Sequence, residues 1–194
     1  MSARLDIDAL RRVDDDRNVS LAQLLVATAL TGVMLTGLWT ALDEGQRVYA
    51  SGSAQVEIAQ SGRVGLQRLV KEIREAGHGP HPERFTAIAL AEPSTIALQQ
   101  DLDGDGAIVG NGETVTWLLR GSVLRRNAGG GAQPIINGVT QFLLTYLDGK
   151  GAVTTRLPDI RVVHVRLTVG AAVPSVLSAT APYTLTTQVR LRNR

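Results

Sequence analysis

Between Asn18 and Leu42 the chain carries no charged residue. About 25 residues of helix rise roughly 37 Å, enough to cross the hydrocarbon core of a bilayer. Leu21, Leu24, Leu25, Val26, Leu30, Val33, Met34, Leu35, Leu38 and Leu42 supply apolar surface. Ala22, Ala27, Ala29, Gly32 and Gly37 are small, which lets helices approach closely in lipid. A secretory signal peptide would have a shorter apolar core and end at a small-residue cleavage site. Here the segment runs without a break into a second helical pattern. The basic residues set its direction. Arg4, Arg11, Arg12 and Arg17 precede it, and Arg47 alone follows closely. The positive-inside rule therefore predicts a cytoplasmic N-terminus, with the remainder outside the cytoplasm.

Beyond Asp43 the pattern becomes amphipathic. Leu66, Leu69, Val70 and Ile73 fall at i, i+3, i+4 and i+7, with Arg63, Arg68, Lys71, Glu72 and Arg74 around them. Gly77 and Pro80 predict the helix stop. Gly45, Ser51 to Ser53, Gly62 and Gly65 predict bending or local melting in its middle. The expectation is one long helix over about 19–76.

The rest reads as short strands. These are Thr95 to Leu98, Glu113 to Leu119, Val123 to Arg126, Gln141 to Tyr146, Val163 to Val169 and Tyr183 to Leu191. Val163, Val165, Leu167 and Val169 alternate with His164, Arg166 and Thr168, the mark of a half-buried strand. Asp148-Gly149 predicts a hairpin, and Asn127 to Gly131 a flexible loop. Strands this close in sequence favour an antiparallel sheet, with the long helix over one side. The predicted class is α+β. Its divisions are a leader at 1–18, a hydrophobic helix at 19–42, an amphipathic continuation at 43–79 and a β-rich head at 80–194.

Composition narrows the chemistry. The 194 residues suit one globular domain plus one extra element. No cysteine is present, so disulfides, thiolate metal sites and a cysteine nucleophile are excluded. Twenty Lys and Arg against eighteen Asp and Glu give no argument for nucleic acid. No Gly-x-Ser-x-Gly, phosphate loop or dinucleotide fingerprint occurs, so an enzyme is not expected.

Asp101, Asp103 and Asp105 carry the one, three, five spacing of a calcium loop, with Gly106 for the sharp turn. Asn111 and Glu113 complete the candidate Ca2+ ligands. The twelfth position is Gly112, and Glu113 comes one residue late, so this is not a regular EF-hand. A calcium-stapled β-loop and a metal-free Asp/Gly turn both fit. His78, His81 and His164 lack a carboxylate cluster with zinc spacing and read as solvated histidines.

Arg17-Asn18-Val19-Ser20-Leu21-Ala22-Gln23-Leu24-Leu25-Val26-Ala27 resembles the class III signal of type IV prepilins. Ile73 to Gly79, Asp101 to Gly106, Val139 to Phe142, Tyr146 to Gly151, Leu157 to Ile160 and the Arg-Asn ending resemble PilW-type minor pilins and J-type pseudopilins of type II secretion. The resemblance covers nearly the whole chain after Arg17. It implies a pilin-like fold, an inner-membrane anchor, and a structural role in a type IV pilus or a secretion pseudopilus. The implied partners are other pilin or pseudopilin subunits, a prepilin peptidase and an inner-membrane assembly platform. It also implies processing between Asn18 and Val19, and an assembly role for Gln23. Asn18 stands where the family has glycine, and Gln23 where it has glutamate. Gln23 can accept a hydrogen bond but lacks the charge that would pair with a neighbour's amine. The alternative reading is a signal-anchored extracytoplasmic β-domain that binds calcium or another ligand without polymerising.

Overall fold

The computed structural model describes residues 20–170 and 182–193. Among the described residues there is one α-helix, α1 (Leu21–Glu75), of 55 residues. The described strands that follow are β1 (Ile88–Ala91), β2 (Thr95–Gln99), β3 (Thr114–Arg120), β4 (Val123–Asn127), β5 (Ala132–Asn137), β6 (Val139–Leu147), β7 (Val162–Val169) and β8 (Tyr183–Arg190). The chain divides into two compact units, Met1–Tyr49 and Ala50–Arg194. The class is α+β: one long, apolar-starting helix with two antiparallel sheets.

In the first unit, Leu21 to Leu42 forms uninterrupted helix with exposed side chains throughout. Its threonines return their hydroxyls to the backbone. Thr31 Oγ1 donates to Ala27 O at 2.8 Å, and Thr36 Oγ1 to Gly32 O at 2.8 Å. The hydroxyls therefore add no unsatisfied polar group to the helix surface. The span is long and apolar enough to cross a membrane, and none of it is buried.

In the second unit, the buried stripe of α1 is Gly62, Gly65, Leu69 and Ile73. The expected weak points at Gly62 and Gly65 are corrected here. The helix is continuous through both, and both are close-packing positions. A Cβ at Gly62 would press on Leu185 and Val169, and one at Gly65 would overlap the side chain of Ile136. The missing side chains let the helix backbone settle onto residues of both sheets. Gly77, at φ +79°, ends the helix as the sequence predicts. The carboxamide of Asn193 closes that end by donating to the carbonyls of Arg74, Glu75 and Ala76 at 3.5, 3.3 and 3.4 Å.

The single expected sheet is two. Strands β1 to β5 form a meander in sequence order, and β6, β7 and β8 form a second. The predicted alternation on β7 holds. Val163, Val165, Leu167 and Val169 are buried, while His164 and Arg166 are exposed. Strands β1 and β5 were not expected. β5 contains Pro134, which is tolerated because β5 is an edge strand and shifts register beside Arg125. Asn127 ends β4, so the predicted glycine loop shortens to 128–131. The β3–β4 turn is a two-residue hairpin closed by Arg120 opposite Val123, with Gly121 at φ +61°.

Asp148-Gly149 turns the chain but does not join two ladder strands directly. Asp148 Oδ1 accepts the N–H groups of Lys150 and Ala152, and Leu147 makes one bridge with Val153. A short 3-10 turn at Leu157–Asp159 then precedes β7. The two sheets meet where β6 passes the β1–β2 turn. Leu144 N–H donates to Pro93 O at 2.7 Å, and the Tyr146 hydroxyl to Glu92 O at 2.7 Å. Burial and the nearby Glu92 carboxylate raise the Tyr146 phenol above its ordinary range. That group remains a proton donor across the working pH range.

Candidate functional site

Two regions carry the residues the sequence singled out. The first is the start of α1. Asn18 and Val19, with Arg4, Arg11, Arg12 and Arg17, lie outside the described residues. Gln23 is described, and its Oε1 accepts the backbone N–H of Ser20 at 3.2 Å. Ser20 precedes the first helical residue and Gln23 is the third within it, so this is half of a capping box. The carboxamide therefore closes its own helix start. Gln23 is otherwise exposed. Gln23 shares a shallow apolar surface with Ala22, Val26, Ala27 and Leu30.

The second region is the loop at 100–113, between β2 and β3. Asp101 is 3% exposed. Its Oδ1 accepts the N–H of Gly104 at 2.7 Å, and its Oδ2 that of Gly106 at 3.0 Å. Both glycines have positive φ, +81° and +78°, which wraps the backbone around the carboxylate. Asp103 Oδ1 accepts the N–H of Asp105, and Asp105 Oδ1 that of Ala107, two successive side-chain turns. The preceding loop closes over the site. Asp101 N–H donates to His78 O at 2.8 Å, and Gly79 is packed too close to Asp101 for a side chain.

Asp101, Asp103 and Asp105 bring carboxylate oxygens within 4.8 Å of one another. Oxygens bound to one calcium at 2.3–2.6 Å lie at most about 5 Å apart, so one ion could reach all three. The other two candidate ligands serve differently in this arrangement. Glu113 is buried, and both its oxygens take backbone donors. Oε1 accepts Leu102 N–H at 3.1 Å, while Oε2 accepts Val109 N–H at 3.0 Å and Gly110 N–H at 2.6 Å. Those bonds, Gly110 foremost, hold its carboxyl below the ordinary glutamate range, against the opposing effect of burial. Asn111 Oδ1 lies against Gly129 of the β4–β5 loop. The converging set is thus three aspartates. Calcium takes six to eight oxygens, so water or backbone carbonyls would have to supply the rest.

Among the described residues, no histidine joins a group of three metal-type ligands. His78 and His164 are exposed, and His81 lies 3.4 Å from Glu83.

Sequence reading missed Glu72. It sits on the charged flank of α1, where it looks like one of several solvated residues. In the fold its carboxylate receives the Trp117 indole N–H and, at 2.7 Å, Arg126 Nε. Arg68 adds a longer contact at 3.5 Å. A tryptophan within a strand pattern and an acid on the charged flank of the helix are the hint the sequence holds.

Compared with known proteins, the chain matches no protein-family model and has no significant match to a curated protein.

Proposed function

We propose that this chain is an assembly subunit of the pilin-like class, a minor pilin or pseudopilin of a type IV pilus or type II secretion pseudopilus. One observation carries the reading. A single helix joins an uncharged, wholly exposed stretch, Leu21 to Leu42, to a later part packed on an antiparallel head. An exposed apolar span of this length needs either lipid or other helices around it. A subunit that waits in a membrane and then packs among helices meets both environments in turn. The arginines at 4, 11, 12 and 17 favour an N-terminus in the cytoplasm and a head in the periplasm. The prepilin-like residues from Arg17 to Ala27 support processing at Asn18-Val19 and contacts with sibling subunits. Gln23, uncharged and engaged in its own helix cap, suits a tip or priming subunit present in few copies. No catalytic role is assigned.

The test has two parts. Protease added to spheroplasts should digest the head and spare the extreme N-terminus. Quantitative mass spectrometry of purified filaments should then find the chain at trace level relative to the major subunit. A fully protected head would contradict the topology. An abundance equal to the major subunit would contradict the tip assignment.

The convergence of Asp101, Asp103 and Asp105 favours a second reading, a membrane-anchored calcium-binding module that does not polymerise. Calcium-dependent stability together with absence from filaments would select it.

A further inference from the structure

A cleft of about 950 Å³ lies between the last turns of α1, the start of the 100–113 loop and the end of β8. Its composition is divided by chemistry. Leu66, Val70 and Leu102 give apolar surface, Lys71, Arg74 and Arg192 bring positive charge from two separate elements, and Glu75 adds one negative charge. We propose that this cleft binds an extended acidic peptide segment of a partner protein, with an apolar side chain seated between its carboxylates.

Among the described residues, two of these three cations have no partner inside the chain. Lysine and arginine in a last helical turn often serve the helix dipole and its free carbonyls. Here the neutral carboxamide of Asn193 already donates to the carbonyls of residues 74, 75 and 76. Among the described residues, the guanidinium groups of Arg74 and Arg192 have no hydrogen-bond or ion-pair partner. Lys71 has one acidic partner, Glu75, at 3.8 Å between largely exposed side chains, a pair that water and salt weaken. Arg192 belongs to the chain beyond β8, so the helix dipole does not explain it.

Shape argues for a peptide rather than a point anion. The charges are instead spread along α1 from residue 71 to 74 and across to 192, with apolar surface beside them. Arginine forks suit carboxylates in two-point contact. Leu102 is 57% exposed at the mouth of the cleft. A peptide alternating acidic and apolar side chains would match both features, with β8, an edge strand, along one wall. The inference concerns the head alone and does not depend on polymerisation.

The experiment uses the full chain in neutral phosphatidylcholine nanodiscs. The probe is a fluorescein-labelled, acetylated Glu-Leu-Asp-Leu-Glu peptide, followed by anisotropy at several salt concentrations. Binding should weaken as salt rises, and a Lys-Leu-Lys-Leu-Lys peptide should bind at least tenfold more weakly. Arg74→Glu and Arg192→Glu should each reduce affinity at least tenfold with unchanged Tm. Arg192→Gln should give a smaller loss, and Arg120→Glu, on an exposed arginine away from the cleft, should bind like the unaltered protein. Three results would overturn the proposal. These are equal binding of the basic peptide, undiminished binding by both Arg→Glu variants, or absence of peptide binding alongside arginine-dependent attachment to phosphatidylglycerol vesicles.

Discussion

The indole N–H of Trp117 donates to the carboxylate of Glu72, joining the buried centre of β3 to the packed half of α1 across 45 residues of sequence. Trp117 is fully buried and Glu72 is 13% exposed at its side chain, so neither group has an easy alternative in water. Arg126 on β4 takes the other oxygen of the same carboxylate at 2.7 Å. One acid thus holds two adjacent strands against the helix.

Replacing Trp117 by Phe removes the donor and keeps most of the ring. We expect a loss of about 1–3 kcal/mol, the cost of leaving a largely buried acceptor underused plus a small void. Urea unfolding of the full chain in detergent, followed on the head, is the measurement. A Trp117→Phe variant as stable as the parent would show that Glu72 is adequately served by Arg126 and water.

The helix glycines give opposite expectations at two positions. Alanine is a better helix former than glycine by about 1 kcal/mol. At Gly52, where a Cβ meets nothing within 4 Å, Gly52→Ala should raise the unfolding midpoint. At Gly65 the Cβ overlaps Ile136, and overpacking of this kind costs about 1–3 kcal/mol. Gly65→Ala should therefore lower the midpoint despite the better propensity. Stabilisation at both positions would mean that the helix does not press on β5 as closely as described.

Glu113 predicts an acid limb. Its folded carboxyl titrates below the ordinary glutamate value of 4.5, because three backbone N–H groups favour the charged form. A depressed folded value contributes stability that is present above the unfolded value. It is lost as pH falls from about 4.5 through the folded value. Asp148 is depressed for the same reason, by the N–H groups of Ala152 and Lys150, and acts in the adjacent, lower window. Glu113→Gln should lower Tm at neutral pH and flatten its fall between pH 5 and pH 3. An unchanged acid limb in that variant would assign the effect to other carboxylates.

The aspartate loop can be separated from a plain turn by removing metal. If calcium joins Asp101, Asp103 and Asp105, chelator should lower the Tm of the parent. Asp103→Ala with Asp105→Ala should abolish that difference. Both residues are exposed, so the double variant should fold. A parent Tm indifferent to chelator would leave the loop held by its backbone N–H groups alone.

The long helix was legible because its signals are local: an uncharged run, then a 3.6-residue stripe, then Gly77. Strand β7 was legible for the same reason, its alternation being visible without a partner. Strands β1 and β5 were not. Ile88 to Ala91 mixes small and large apolar residues without alternation, and Pro134 argues against a strand until β5 is known to lie at an edge. The division into two sheets depends on contacts such as Tyr146 to Glu92, which no short window contains. The glycines show the limit most clearly. Gly52 and Gly65 read alike in sequence, and only the distant Ile136 gives one of them a packing role. At the loop, residue types located the carboxylates but not their partners. Glu113 read as a late ligand because the donors that engage it, Leu102, Val109 and Gly110, are backbone groups without sequence identity.

If the chain is a pilin-like subunit as proposed, the exposed start of α1 packs among the helices of sibling subunits. The chain has no cysteine, so a single Ala27→Cys or Leu30→Cys substitution gives a clean reporter on that surface. Membranes from cells that carry a cysteine at the matching helix position of a second pilin-like subunit can be oxidised or treated with a short bifunctional maleimide. The linked species can then be identified by mass spectrometry. The expected product is a heterodimer containing the sibling subunit, formed from both reporter positions and absent when the cysteine is moved to Arg120 on the head. A reporter that stays monomeric in membranes and filaments alike would contradict it.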